Sequence, residues 1–123
     1  MRILLIALFG AVGTLARYGL QGIIQTRAGG TFPHGTLVVN LTACVIIGFA
    51  LTFLSRRVEI DPAWRYFATI GFIGAYSTFS TYEWETLSTM RSGAFLLGAV
   101  YAVGSLVLGL AATWCGTALA DLL

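Results

Sequence analysis

Residues 71–85 read GFIGAYSTFSTYEWE, and this run of Gly, Ser, Thr and aromatic residues falls in the middle of a segment long and apolar enough to cross a membrane. Glycines and hydroxyls at that depth predict an interrupted helix. Irregular backbone is tolerated inside a bilayer only where it is buried in protein or lines a water-filled cavity, so interrupted helices mark ion and substrate sites. The rest of the chain explains why this stretch lies in a bilayer at all.

The chain has 123 residues, of which 58% are hydrophobic and 10% charged, with a mean hydropathy of +0.87. That apolar share is well above, and the charged share well below, those of a soluble domain. An all-α integral membrane protein of one domain, residues 1–123, follows. A bundle this short does not readily enclose a pathway by itself, which favours an oligomer. A net charge of +2 is too small to point to nucleic acid. All seven basic residues are Arg, a choice suited to charges held near backbone or phosphate groups. Cys44 and Cys115 lie in apolar runs without a Cys-x-x-Cys or a neighbouring His, and read as small buried packing residues. Met1-Arg2 before an apolar run imitates a secretory signal, but three further spans follow and the first helix reads as retained.

Stretches of about 20 mostly apolar residues number four: Ile3 to Ile24, Leu37 to Leu54, Trp64 to Leu87 and Ala94 to Leu119. Asp61-Pro62 reads as a helix cap followed by a first-turn proline, and Trp64 then falls at interfacial depth. Arg2, Arg56, Arg57 and Arg65 fall on one side of the membrane, against Arg27, Arg91 and Arg17 on the other. Four against three is almost no bias under the positive-inside rule. Either a weak bias sets one orientation, or the chain inserts both ways and pairs head to tail.

In the fourth span Ala94, Gly98, Ala102, Ser105, Gly109, Ala112 and Gly116 share one helix face, a stripe that admits a close neighbour from this chain or another. Gly10 and Gly13 suit the same purpose in the first span. Asn40 lies one turn after Thr36; it either cross-links two helices or faces a lumen, because an amide in hydrocarbon must be bonded or wet. Tyr101 and Ser105, again one turn apart, present two hydroxyls to one side, or else are an interfacial tyrosine and a serine bonded back to its own helix. Arg17 either snorkels to the headgroups or gathers anions at the mouth of a pathway. His34, beside Pro33, reads as a surface or capping residue. Glu83 and Glu85 point to different faces, so at most one lines a pathway, and neither has a catalytic partner. Unwinding near Gly74 to Phe79 would free carbonyls for a small cation and donors for an anion. Phe79 and Tyr82, three apart, can line one wall, as packing or as edge-on rings facing an anion.

With these residues in view, the third span resembles the signature of the Fluc fluoride channels, also called the CrcB family. The pattern GFxGGxTTFSTFSxE is met by Gly71-Phe72, Gly74, Ser77-Thr78-Phe79-Ser80-Thr81, Tyr82 and Glu85, and the motif GTLxxNL by Gly35-Thr36-Leu37 with Asn40-Leu41. Arg17 before an aromatic is similar to the first-helix pattern. The resemblance covers all four spans. It implies a dual-topology antiparallel homodimer in a bacterial inner membrane, with two fluoride pathways and a structural, non-transported sodium ion at its centre. Carried over by position, the backbone carbonyls of Gly74 and Ser77 would bind the sodium. Phe79 and Tyr82 would flank the anion and Asn40 would donate to it. Tyr101 and Ser105 would form a polar track together with third-span hydroxyls such as Ser80 and Thr81, and Arg17 would lie toward the vestibule. Tyr82 stands where the family usually has Phe, and Ser77 where it usually has Thr.

The function implied is passive fluoride export, without enzymatic activity: the sequence carries no ATP motif and no catalytic constellation. The rival, a proton-coupled small multidrug transporter, needs a carboxylate in its first helix, and the first acidic residue here is Glu59. A non-transporting scaffold would leave Asn40 and residues 71–85 without a purpose.

Overall fold

The computed structural model describes all 123 residues as an all-helical chain. Helix α1 spans Arg2–Ala28, α2 His34–Arg56 and α6 Phe95–Asp121, and these three are long and apolar enough to cross a membrane. The third span is assembled from pieces: α3 (Ala63–Tyr66), a π-helical segment (Phe67–Ile73), α4 (Gly74–Tyr76) and, after a break, α5 (Phe79–Arg91). Each helix outruns its expected apolar core because polar end residues continue the backbone ladder into the interface. His34 accordingly begins α2, with its ring 4.7 Å from that of Phe32.

The start of the third span follows from its cap. Asp61 accepts from the Ala63 N–H through its side chain at 2.8 Å and from the Trp64 N–H through its carbonyl at 3.0 Å, which supplies donors at a helix start with acceptors. The break follows from competition for backbone donors. Ser77 and Thr78 are extended, with ψ of 161° and 111°. In a continuous α-helix the Thr78 N–H would reach the Gly74 carbonyl; here it goes to the Asn40 side chain. Thr78 then caps α5, its hydroxyl accepting from the Thr81 N–H at 3.3 Å.

Small residues set the approach of the helices. Gly48 on α2 and Gly116 on α6 face each other's helices so closely that a Cβ would collide with the carbonyl of Thr113 or of Val45. A Cβ on Gly98 would run into Met90 of α5. The stripe on α6 therefore seats α2 and α5 of its own chain, which decides the alternative left open by the sequence. On α1, a Cβ at Gly13 would collide with the Phe72 carbonyl of the π segment, so Gly13 does serve packing. Cys44 is half-buried, but Cys115 is exposed on the outer face of α6 near Trp114, which corrects the expectation of two buried thiols. An outward thiol is compatible with lipid because it is a weakly polar group.

Only 18 of the 123 residues are buried, so the chain satisfies most of its apolar surface outside itself. Leu106, Val107, Leu108 and Leu110 are exposed, as lipid-facing residues must be. The exposed surface of α5 is mixed: Ser80, Glu83, Ser88 and Arg91 stand among the apolar Phe79, Trp84 and Leu87.

Candidate functional site

The site is built around the break. Asn40 projects from α2, donating its amide to the Thr78 carbonyl at 3.0 Å while its own carbonyl accepts from the Thr78 N–H at 2.9 Å. One side chain thus pairs both polar groups of a residue that is 6% exposed and has left the helical ladder. Of the two sequence readings, the cross-link is the one observed, and one N–H of the amide remains beyond that pairing. Asn40, Cys44, Ser77, Thr78 and Phe79 line an open groove at this point.

Arg17 reaches the same place from α1. Its Nη1 lies 3.5 Å from the Ser77 carbonyl, so the guanidinium is held at the break rather than at the headgroups. The Gly74 carbonyl loses the Thr78 N–H as its helical partner, and with the Ser77 carbonyl it is an oxygen that this chain could offer a cation. Hard carbonyl oxygens are of the type that suits a small cation. Arg17 already shares the Ser77 oxygen, so a cation would contend with it.

On the other side of the break, Phe79 is 74% exposed and its ring centroid lies 5.8 Å from that of Tyr82, so the two rings share a wall. The Tyr82 hydroxyl donates to the Ala102 carbonyl at 3.0 Å, which fixes the ring against α6. Ser80 is exposed beside Phe79. The Thr81 hydroxyl is tied into the cap, accepting from the Thr78 hydroxyl at 2.9 Å.

Beyond Tyr82 lies a chain of polar groups in the interior. Tyr101, only 2% exposed, is a core residue rather than an interfacial one; its hydroxyl donates to Glu85 Oε2 at 3.1 Å. The Thr36 hydroxyl donates to Glu85 Oε1 at 2.7 Å and itself accepts from the Gln21 amide at 3.1 Å. Glu85 is the inward carboxylate and Glu83 the exposed one. Ser105 does not bond back to its helix: its Oγ is buried and is the one such side-chain atom without a partner. Gln21 was missed by sequence reasoning. An amide in the last third of an apolar span, with Gln25 one turn on, was the signal that could have found it.

Two separate hollows belong to the site: a mostly apolar groove where Asn40, Ser77 and Thr78 meet Ala43, Ile47 and Ile73, and a more polar one lined by Gln21, Gln25, Thr31, Glu85 and Ser88. Hydroxyl and amide groups dominate the second.

Comparison with known proteins agrees with this architecture. A fluoride-specific ion channel of Solibacter usitatus is 48% identical over 120 residues, covering 98% of each chain. Those of Acidobacterium capsulatum and Nitratidesulfovibrio vulgaris are 47% and 45% identical, each covering 94% of this chain and 93% of its own. A family model described as CrcB-like protein, Camphor Resistance (CrcB), matches residues 4–117, and the chain belongs to that family, one of ion channels rather than enzymes.

Proposed function

We propose that this protein is a passive fluoride channel that exports the ion from the cytoplasm of a bacterial cell across its inner membrane. The observation that carries the reading is the break at Ser77 and Thr78, held open by Asn40 in a bundle that also buries the Thr36 and Tyr101 hydroxyls. Fluoride is small and tightly hydrated, so a pore must replace its lost water with closely spaced donors while staying too narrow for larger halides. The spare Asn40 N–H, the unpartnered Ser105 hydroxyl and the hydroxyls of Ser80, Thr81 and Tyr101 are donors of that kind, and the Phe79 and Tyr82 ring edges add partial positive charge. Arg17 would raise the local anion concentration near the break. From an acidic medium fluoride enters cells as the neutral acid and is trapped when it ionises in the near-neutral cytoplasm, so a simple leak is protective.

The functional unit in this reading is an antiparallel homodimer with two pathways. On the exposed surface of α5, Ser80 and Glu83 stand within the span beside Phe79, Trp84 and Leu87, and a carboxylate facing lipid is costly, which supports a covering second copy. Near-even arginine counts at the two membrane faces support insertion in both directions. A sodium ion would be held at the centre by the Gly74 and Ser77 carbonyls of both copies. When bound, it would supply a fixed positive charge and tie the two breaks together.

The test is efflux from liposomes loaded with fluoride or chloride, followed with ion-selective electrodes. Rapid fluoride release with chloride retained is expected; retention of fluoride by vesicles with well-incorporated protein would sink the proposal.

A further inference from the structure

The last helical piece before the break, Gly74–Tyr76, has a single side chain able to anchor it. Gly74 has none and is exposed, and Ala75 has only a methyl. Tyr76 is 5% exposed; its ring stacks on that of Phe72 at 5.5 Å and joins Ile73, Val39 and Ala43 in one buried cluster. Its hydroxyl lies 2.7 Å from that of Thr42 on α2.

The direction of that bond follows from what else each oxygen can reach. Thr42 Oγ1 lies 2.9 Å from the Val38 and Val39 carbonyls and donates to them, the usual recourse of a threonine inside a helix. Were Thr42 to donate to Tyr76 instead, the phenol proton would be buried without an acceptor, which is unfavourable. Tyr76 therefore donates to Thr42 and Thr42 to its own helix, a two-step tie from α4 to the α2 backbone.

Thr42 comes two residues after Asn40 and so projects about 160° away from it around α2. Val39 and Ala43, the α2 residues buried against the third span, fall between the two. Helix α2 thus grips the span from both flanks, and the grips take opposite lips of the break: Asn40 holds Thr78, and Thr42 holds Tyr76. Ser77 adds nothing to this, since its N–H and hydroxyl both go to the Ile73 carbonyl of the same span, at 2.9 and 3.0 Å. The other side-chain link to this lip, from Arg17 to the Ser77 carbonyl, is long at 3.5 Å.

We propose that Tyr76 is a positioning residue that, through Thr42, fixes the α4 lip of the break and with it the Gly74 and Ser77 carbonyls, while Asn40 fixes the other lip independently. Two separate fastenings on one helix then set the opening at the break. The consequence for transport rests on the fluoride reading above; the fastening does not.

Tyr76→Phe keeps the ring and removes the donor, and Thr42→Val nearly keeps the shape and removes the acceptor. Losing one buried hydrogen bond between neutral groups shifts a local equilibrium about fivefold. Amide hydrogen exchange, followed residue by residue by nuclear magnetic resonance in micelles, reads that shift without transport. The Ser77 N–H should exchange about fivefold faster in Tyr76→Phe and at least as fast in Thr42→Val, which also strands the phenol proton. Adding Tyr76→Phe to Thr42→Val should bring no further increase. The Thr78 N–H, held by Asn40, should keep its wild-type rate, whereas a bundle that is merely less stable would speed both amides together. An unchanged Ser77 rate, equal acceleration at Ser77 and Thr78, or a further fivefold gain in the double variant overturns the proposal; should Tyr76→Phe not fold, Thr42→Val reads the same two amides. Fluoride efflux from liposomes should fall about fivefold in Tyr76→Phe, and efflux at the wild-type rate would overturn the positioning role. Wild-type liposomes that hold their fluoride would instead defeat the channel reading and leave the exchange measurement to decide this one.

Discussion

Replacing Asn40 with Ala should destabilise the protein more than any other single polar substitution at the break. The wild-type side chain exchanges two hydrogen bonds with the Thr78 peptide groups, at 3.0 and 2.9 Å, in a position only 6% exposed. Removal strands one N–H and one carbonyl away from water. An unsatisfied buried group costs about 1–3 kcal/mol, so the pair should cost roughly 2–6 kcal/mol. Asn40→Asp separates the two bonds: it keeps an acceptor for the Thr78 N–H but turns an oxygen toward the Thr78 carbonyl. It should lie between wild type and Ala. The assay is the loss of folded protein along a titration from a mild detergent into a denaturing one, read by tryptophan fluorescence. An Asn40→Ala midpoint equal to that of wild type would refute the idea that this amide holds the break open. An Asp variant as stable as wild type would refute the role of the Thr78 carbonyl contact.

Two further substitutions separate packing from transport. Ser105→Ala deletes a buried hydroxyl that has no partner, so stability should hold or rise slightly while fluoride efflux falls; unchanged efflux would remove Ser105 from the pathway. Gly116→Val puts a branched side chain against the Val45 carbonyl and Phe49 N–H of α2, where backbone cannot yield as a flexible side chain does. It should cost about 1–3 kcal/mol or more in the same detergent titration, and a neutral result would mean that α2 and α6 are not in this contact.

The sequence made the outline of the fold readable because lipid imposes a simple rule: apolar runs of sufficient length become helices. It also showed where the third span fails, since Gly, Ser and Thr between residues 74 and 81 cannot be explained as lipid-facing packing. The agent of the break was less visible. Asn40 could be seen as polar and deep, but its pairing with Thr78 joins residues 38 apart and is a tertiary fact. The π-helical Phe67–Ile73 was not readable either. Its composition is that of any apolar helix, and its wide turn lies where α1 approaches at Gly13. Sequence periodicity separated Glu83 from Glu85 without saying which faces inward; α2 and α6 decide that through Thr36 and Tyr101. The direction of the small-residue stripe was equally a matter of partners, and these proved to be α2 and α5.

The central claim is that the path beside the broken span selects fluoride. A planar bilayer holding the purified protein, with a tenfold gradient of fluoride and equal chloride on both sides, measures this in one number. The account predicts a current that reverses near the fluoride equilibrium potential, about 59 mV in magnitude. Reversal near zero, where equal chloride would hold it, would contradict the account.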